Sequence, residues 1–140
     1  LPIENITVMV QKEAAERLCA DVGTRESGAV TVAVDYYANA KILFDVDRYS
    51  FMPPPNVDSA VIQLEIRKEP KVFVKNEREF FALVKSCFAQ RRKTLVNTVS
   101  NTSNYSKDAL RKALNEIGLS ETVRAEQLSI EELAQLSNLL

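Results

Sequence analysis

Three successive prolines, Pro53 to Pro55, separate two apolar, strand-like runs and forbid helix or central strand between them. Each proline holds φ at about −65° and offers no backbone N–H, so the segment is expected to be a stiff, extended connector. Phe51 stands just before it, in Phe51-Met52-Pro53-Pro54-Pro55-Asn56-Val57-Asp58-Ser59-Ala60-Val61. An aromatic ring beside a stiff segment has already lost much of its conformational freedom, which suits it to stacking on a flat heterocycle such as a nucleobase. The competing reading is that Phe51 plugs the sheet edge while the prolines make a turn.

The flanking segments define the rest. Ile6 to Val10 is apolar at nearly every position, the pattern of a central strand covered on both faces in a parallel sheet. Helix formers follow from Gln11 to Cys19, with Ala14, Ala15, Leu18 and Cys19 as candidate inward positions. Ala29 to Tyr37 fits a strand by propensity and a helix by its Val30, Ala33, Val34, Tyr37 stripe. Lys41 to Val46 and Ser59 to Arg67 read as the last two strands, which puts Phe51 at a sheet end, where α/β proteins tend to place ligand contacts.

Beyond Pro70 the pattern turns helical. Phe80, Leu83, Val84, Cys87, Phe88 and Leu95 predict one amphipathic helix of about five or six turns. Ser106 opens a second helix, which Gly118 ends, and Ser129 with Glu132 forms a capping-box signature for a third. The expected architecture is α/β followed by all-α, with a boundary near Pro70 that gives units 1–70 and 71–140.

Composition excludes several kinds of chemistry. The chain has no histidine and only two cysteines, Cys19 and Cys87, each expected to be a buried thiol, so neither a histidine-based nucleophile nor a metal site is expected. No membrane span or export signal is read, and cytoplasmic residence is the default expectation. A net charge of −1 argues against indiscriminate coating of nucleic acid, so any such contact has to be local. The local candidate is Gln90-Arg91-Arg92-Lys93-Thr94, read as lying within the long helix, with Lys85 about two turns earlier. No acidic residue occurs from Phe80 to Lys107, leaving a basic stripe without sequence-local partners. It suits either a solvated face or phosphate contacts that release counterions. Arg111, Lys112 and Arg124 are weaker extensions, because acidic residues are interspersed there.

Four segments together resemble the C-terminal part of the bacterial dimethyladenosine transferases, which dimethylate adjacent adenines of small-subunit rRNA. They are Met9 to Glu13, Phe51 to Val61, Phe88 to Leu95 and Arg124 to Ser129, and they span nearly the whole chain in the family's order. The resemblance implies the last portion of a Rossmann-like class I methyltransferase sheet plus a small helical domain, and it implies helix for Ala29 to Tyr37. It further implies that Phe51 stacks on the target adenine, that Pro53, Pro54 and Pro55 stiffen the substrate loop, and that Lys85, Arg91, Arg92 and Lys93 bind RNA. The implied partners are small-subunit (16S) rRNA and the assembling 30S subunit. The implied cofactor, S-adenosylmethionine, would be held by an N-terminal part that this sequence lacks. Neither the family's Gly-rich loop nor its Asn-Leu-Pro-Tyr-type motif occurs here, and Leu1-Pro2 is rejected as a match because no aromatic follows. The expectation is therefore a piece of a longer enzyme, inactive alone. At Asn56 related enzymes often carry lysine, so no RNA contact is assigned there. Alternatives are a non-catalytic RNA-binding or ribosome-assembly module, a related 23S rRNA methyltransferase, and the mitochondrial transcription factors built on the same fold.

Overall fold

The computed structural model describes residues 3–140, so the Leu1-Pro2 pair lies outside the described residues. Strand β1 (Asn5–Gln11) passes directly into helix α1 (Lys12–Leu18), and α2 (Ala29–Tyr37) leads straight into β2 (Ala38–Val46). A 3₁₀ turn at Arg48–Ser50 and the proline segment connect β2 to β3 (Ser59–Ile66). Four helices follow: α3 (Glu77–Cys87), α4 (Leu95–Thr102), α5 (Lys107–Glu116) and α6 (Ile130–Leu139). The helical reading of Ala29 to Tyr37 holds because α2 buries Val32 and Tyr36 against the later helices, a tertiary reward that outweighs β-propensity.

The three-stranded sheet has the order β1-β3-β2, with both pairings antiparallel. This corrects the reading of β1 as the central strand of a parallel sheet: β3 is central, and β1 lies at an edge. Alternation along β3 decides what each face meets. Ala60 and Ile62 are buried together with Ala15 of α1, and Val10, Leu18, Cys19 and Leu64 pack around them. On the opposite face Met9, Val61 and Phe44 stand in one cross-strand row, with Met9 52% and Phe44 57% exposed. The apolar run in β1 is the pattern of a strand built for two covered faces, and among the described residues only one is covered.

The helical part has a far larger core. Phe80, Leu83, Leu95, Leu110, Leu114, Leu128, Leu133 and Leu136 are all essentially inaccessible there. Ser106 accepts from the Ala109 N–H at 3.1 Å, and Gly118 takes the left-handed conformation (φ +79°) just past the end of α5. Ser129 and Glu132 make the reciprocal capping box that their spacing predicts.

The long helix through Phe80 and Leu95 is also corrected. Helix α3 stops at Cys87 and α4 begins at Leu95, so the basic cluster lies in the reversal between them rather than on a helix. Thr98, fully buried, explains the break: its hydroxyl donates to the Ser86 carbonyl at 2.8 Å and accepts from the Gln90 N–H at 3.1 Å. Thr94 caps the new helix by accepting from Asn97 N–H, and the Leu95 N–H donates to the Val123 carbonyl at 2.8 Å. Burial raises the Cys87 thiol pKa to about 12. Cys19 is only half-buried, which corrects the expectation that both thiols are sealed in the interior.

Candidate nucleic-acid interface

Phe51 sits at the end of the β2–β3 hairpin and belongs to neither core cluster; its ring is half-buried. Pro53 to Pro55 are exposed, the Met52–Pro53 peptide is cis, and Met52 is 97% exposed. The loop is braced at its base. Asp47 accepts from the Tyr49 N–H at 2.8 Å, starting the 3₁₀ turn, and Phe51 follows as its C-terminal cap. Asp58 accepts from both the backbone N–H and the Nε of Arg48 at 3.0 Å, and Arg48 Nη1 donates to the Asn56 carbonyl at 2.8 Å. The Arg48 guanidinium and N–H hold the Asp58 carboxyl below its ordinary pKa. The Asp58 carbonyl then accepts from the Lys12 N–H at 2.9 Å, tying the loop to the start of α1.

The basic cluster forms a compact turn, closed by Lys93 N–H donating to the Gln90 carbonyl at 3.0 Å. Arg91 is more committed than the sequence suggests. Its guanidinium donates to the Ser27 carbonyl, lies 3.9 Å from the Glu126 carboxylate and sits 5.7 Å from the centre of the Phe88 ring. The partner acid comes from a segment distant in sequence, which the local scan from Phe80 to Lys107 could not reveal. Lys85, Arg92 and Lys93 are exposed and form no ion pair among the described residues. Arg91, Lys93 and Arg124 line one recess together with Glu126. Arg124 thus joins the cluster, whereas Arg111 pairs with Asp108 at 3.5 Å.

Sequence reading missed Arg17. A Cβ placed on Gly28 would come within 2.9 Å of Arg91 Nη2 and 3.3 Å of Arg17 Nη1, so this glycine makes room for two converging guanidinium groups. The signal was legible only in retrospect, as a glycine at extended φ where any residue could serve for backbone reasons. Thr31 fixes the neighbourhood by donating to the Arg17 carbonyl at 2.7 Å and accepting from the Gly28 N–H at 3.0 Å. Helix α1 therefore links the two regions. Its first N–H anchors the Phe51 loop and its last turn places Arg17 beside Arg91 at Gly28, about 10 Å of helix away.

Among the described residues the glycines do not form the Gly-rich cradle that the resemblance implies for S-adenosylmethionine. The β1–α1 junction has no glycine at all, Gly28 is filled by arginine side chains, and Gly23 and Gly118 serve turns elsewhere. No group of His, Cys, Asp or Glu among the described residues could hold a metal ion. No described helix is long and apolar enough to cross a membrane.

A sheet layered with helices and followed by further helices is the arrangement this chain shares with solved rRNA methyltransferases. The family model described as ribosomal RNA adenine dimethylase matches residues 1–140, and the chain belongs to that family. It is 46% identical over 143 residues to ribosomal RNA small subunit methyltransferase A of Geobacillus thermodenitrificans, covering 100% of this chain and 49% of that protein. The protein of the same name from Clostridioides difficile is 46% identical over 140 residues, covering 100% and 48%. The chain thus spans about half the length of the curated relatives it matches. Among solved structures, a dimethyladenosine transferase from Plasmodium falciparum superposes with a TM-score of 0.75 at 27% identity, over 96% of this chain and 56% of that one. The 23S rRNA methyltransferase ErmE gives 0.66 at 25% identity, over 99% and 55%.

Proposed function

We propose that this chain is the RNA-engaging portion of an S-adenosylmethionine-dependent enzyme that dimethylates adjacent adenines of 16S rRNA during assembly of the small subunit in the cytoplasm. The observation that carries this reading is the joining of a braced, partly exposed Phe51 to an arginine-rich recess through one short helix, α1. Phe51 stacks on a target adenine drawn out of its helix, and Pro53 to Pro55 limit the loop's freedom so that little ordering entropy is lost on binding. Arg92, Lys93 and Lys85 meet backbone phosphates, while Arg91 with Arg17 shapes the recess beside them. The cofactor and the groups that accept from the adenine amine belong to residues outside this chain. The same outside residues supply the cover for Met9 and Phe44. In this reading residues 1–70 belong to the methyltransferase unit and 71–140 to the RNA-holding helices, with α2 bridging the two.

The test uses a full-length protein carrying this sequence and unmethylated small subunits. Phe51→Ala is expected to lower methyl transfer by about a hundredfold, with rRNA affinity largely kept. Arg92→Ala with Lys93→Ala is expected to weaken binding and to flatten its salt dependence by roughly one unit per cation. An unaffected Phe51→Ala enzyme would favour the non-catalytic RNA-binding module instead. The likeness to ErmE supports 23S rRNA as the second candidate substrate, so both rRNAs are offered and the methylated one decides.

A further inference from the structure

The hairpin loop contains an element that the stacking role of Phe51 does not by itself require. Among the described residues, the hydrogen bonds joining the β2 limb of the loop to its β3 limb all come from Arg48: its N–H and Nε to Asp58 at 3.0 Å, and its Nη1 to the Asn56 carbonyl at 2.8 Å. Between Met52 and Val57 no other hydrogen bond among the described residues holds the chain apart from the carbonyl of Asn56 that Arg48 grips. The ring of Phe51 is half-buried and packed into neither core cluster, so the shape of the loop takes a large part in setting its direction. Only an arginine can make this arrangement with one side chain, because its planar fork reaches a carboxylate and a carbonyl at once.

We propose that Arg48 is a positioning residue: it clasps the two limbs of the loop through Asp58 and Asn56 and so sets the direction in which Phe51 faces the adenine. This rests on the stacking role proposed above for Phe51. Arg48 itself touches no base. Its effect runs through Asp58, whose carbonyl is in turn fixed to the first N–H of α1. Loss of the clasp leaves both strands paired and the helical core untouched, while the loop samples more conformations and fewer of them present the ring productively.

Two measurements test it. In this 140-residue chain, amide hydrogen exchange is compared between wild type and Arg48→Met. The hydrogen-bonded loop amides of Tyr49, Ser50 and Phe51 are expected to exchange roughly tenfold faster, with those of β1 and β3 unchanged. In the full-length protein, Arg48→Met and Asp58→Asn are each expected to lower kcat by roughly ten- to a hundredfold, with KM for rRNA within about twofold. The double variant is expected to lose less than the product of the two single losses, since both break the Arg48 side chain–Asp58 link. Arg48→Lys is expected to fall between wild type and Arg48→Met, because an ammonium keeps the charge and loses the fork. Unchanged loop exchange in Arg48→Met overturns the proposal. So does a raised KM at constant kcat, which would make Arg48 a phosphate contact. A wild-type protein that fails to methylate while its loop exchange still responds to Arg48→Met breaks the functional reading and leaves the clasp standing.

Discussion

The sheet and the helical bundle solve the burial problem with very different success. Among the described residues the bundle seals Tyr36, Phe80, Ile130 and seven leucines between α2 and α6, and each of α3 to α6 is N-capped by a local hydroxyl or amide. The sheet seals one large residue, Ile62, with two alanines, and leaves its other face to solvent. Hydrophobic stabilisation scales with apolar area removed from water, so the helices carry most of this chain's stability. The sheet is held chiefly by its ladder and by α1. A chain divided this way keeps the helical portion that carries the basic turn rigid, while the strand side keeps an exposed apolar face.

That contrast can be broken by substitution. The largest effect is expected for Phe80→Ala, which empties a fully buried site in the bundle and costs about 3 to 5 kcal/mol in denaturant titration. A loss as small as that of a surface change would mean the bundle is not the stable half. Thr98→Val comes next, at roughly 1 to 3 kcal/mol, because it keeps the shape but leaves the Gln90 N–H and Ser86 carbonyl without their buried partner. Proton exchange of the Gln90 amide reports the same event locally.

A pH series probes the joint between the two regions. Burial, then hydrogen bonding to Glu77 at 2.8 Å, raises the Tyr36 pKa from its ordinary 10.0 to about 12. A raised folded-state value stabilises the fold fully below the unfolded-state pKa. The Tyr36 contribution should therefore be full up to about pH 10 and be lost as pH rises toward 12, and Tyr36→Phe should lessen the alkaline slope, the remainder coming from Tyr37 and Cys87, whose values are raised as well. A melting temperature independent of pH across this window would contradict the assignment. The smallest change is expected for Phe44→Ser, within about 0.5 kcal/mol, since its ring lies on the bare face. A large loss there would show that the face is covered in solution by something in the sample.

Much of the helical part was legible from residue pattern alone. Ser106, Gly118 and the Ser129–Glu132 pair act within four residues of themselves, so their chemistry is visible in one dimension. The break between α3 and α4 was not legible, because Cys87, Phe88 and Leu95 fit a continuous helical stripe equally well. The choice was made by Thr98 and by Val123, neither of which marks the Gln90 to Thr94 stretch as a turn when read in sequence. The candidate site divides along the same line. Phe51, the prolines and the cationic run were visible, whereas Arg17, the Glu126 partner of Arg91 and the Arg48 clasp lie outside any local window.

From its residues alone this chain was bound to have a rigid proline connector after an aromatic, capped helices at its far end, and no histidine-dependent chemistry. Those properties follow from torsional locking, local hydrogen bonding and side-chain inventory, which act over a few bonds or need no geometry. Only the folded structure decided that β3 is the central strand, that the basic cluster is a turn, and that α1 joins it to the Phe51 loop. Those outcomes depend on which distant surfaces pack together, and the burial that selects them is summed over the whole molecule.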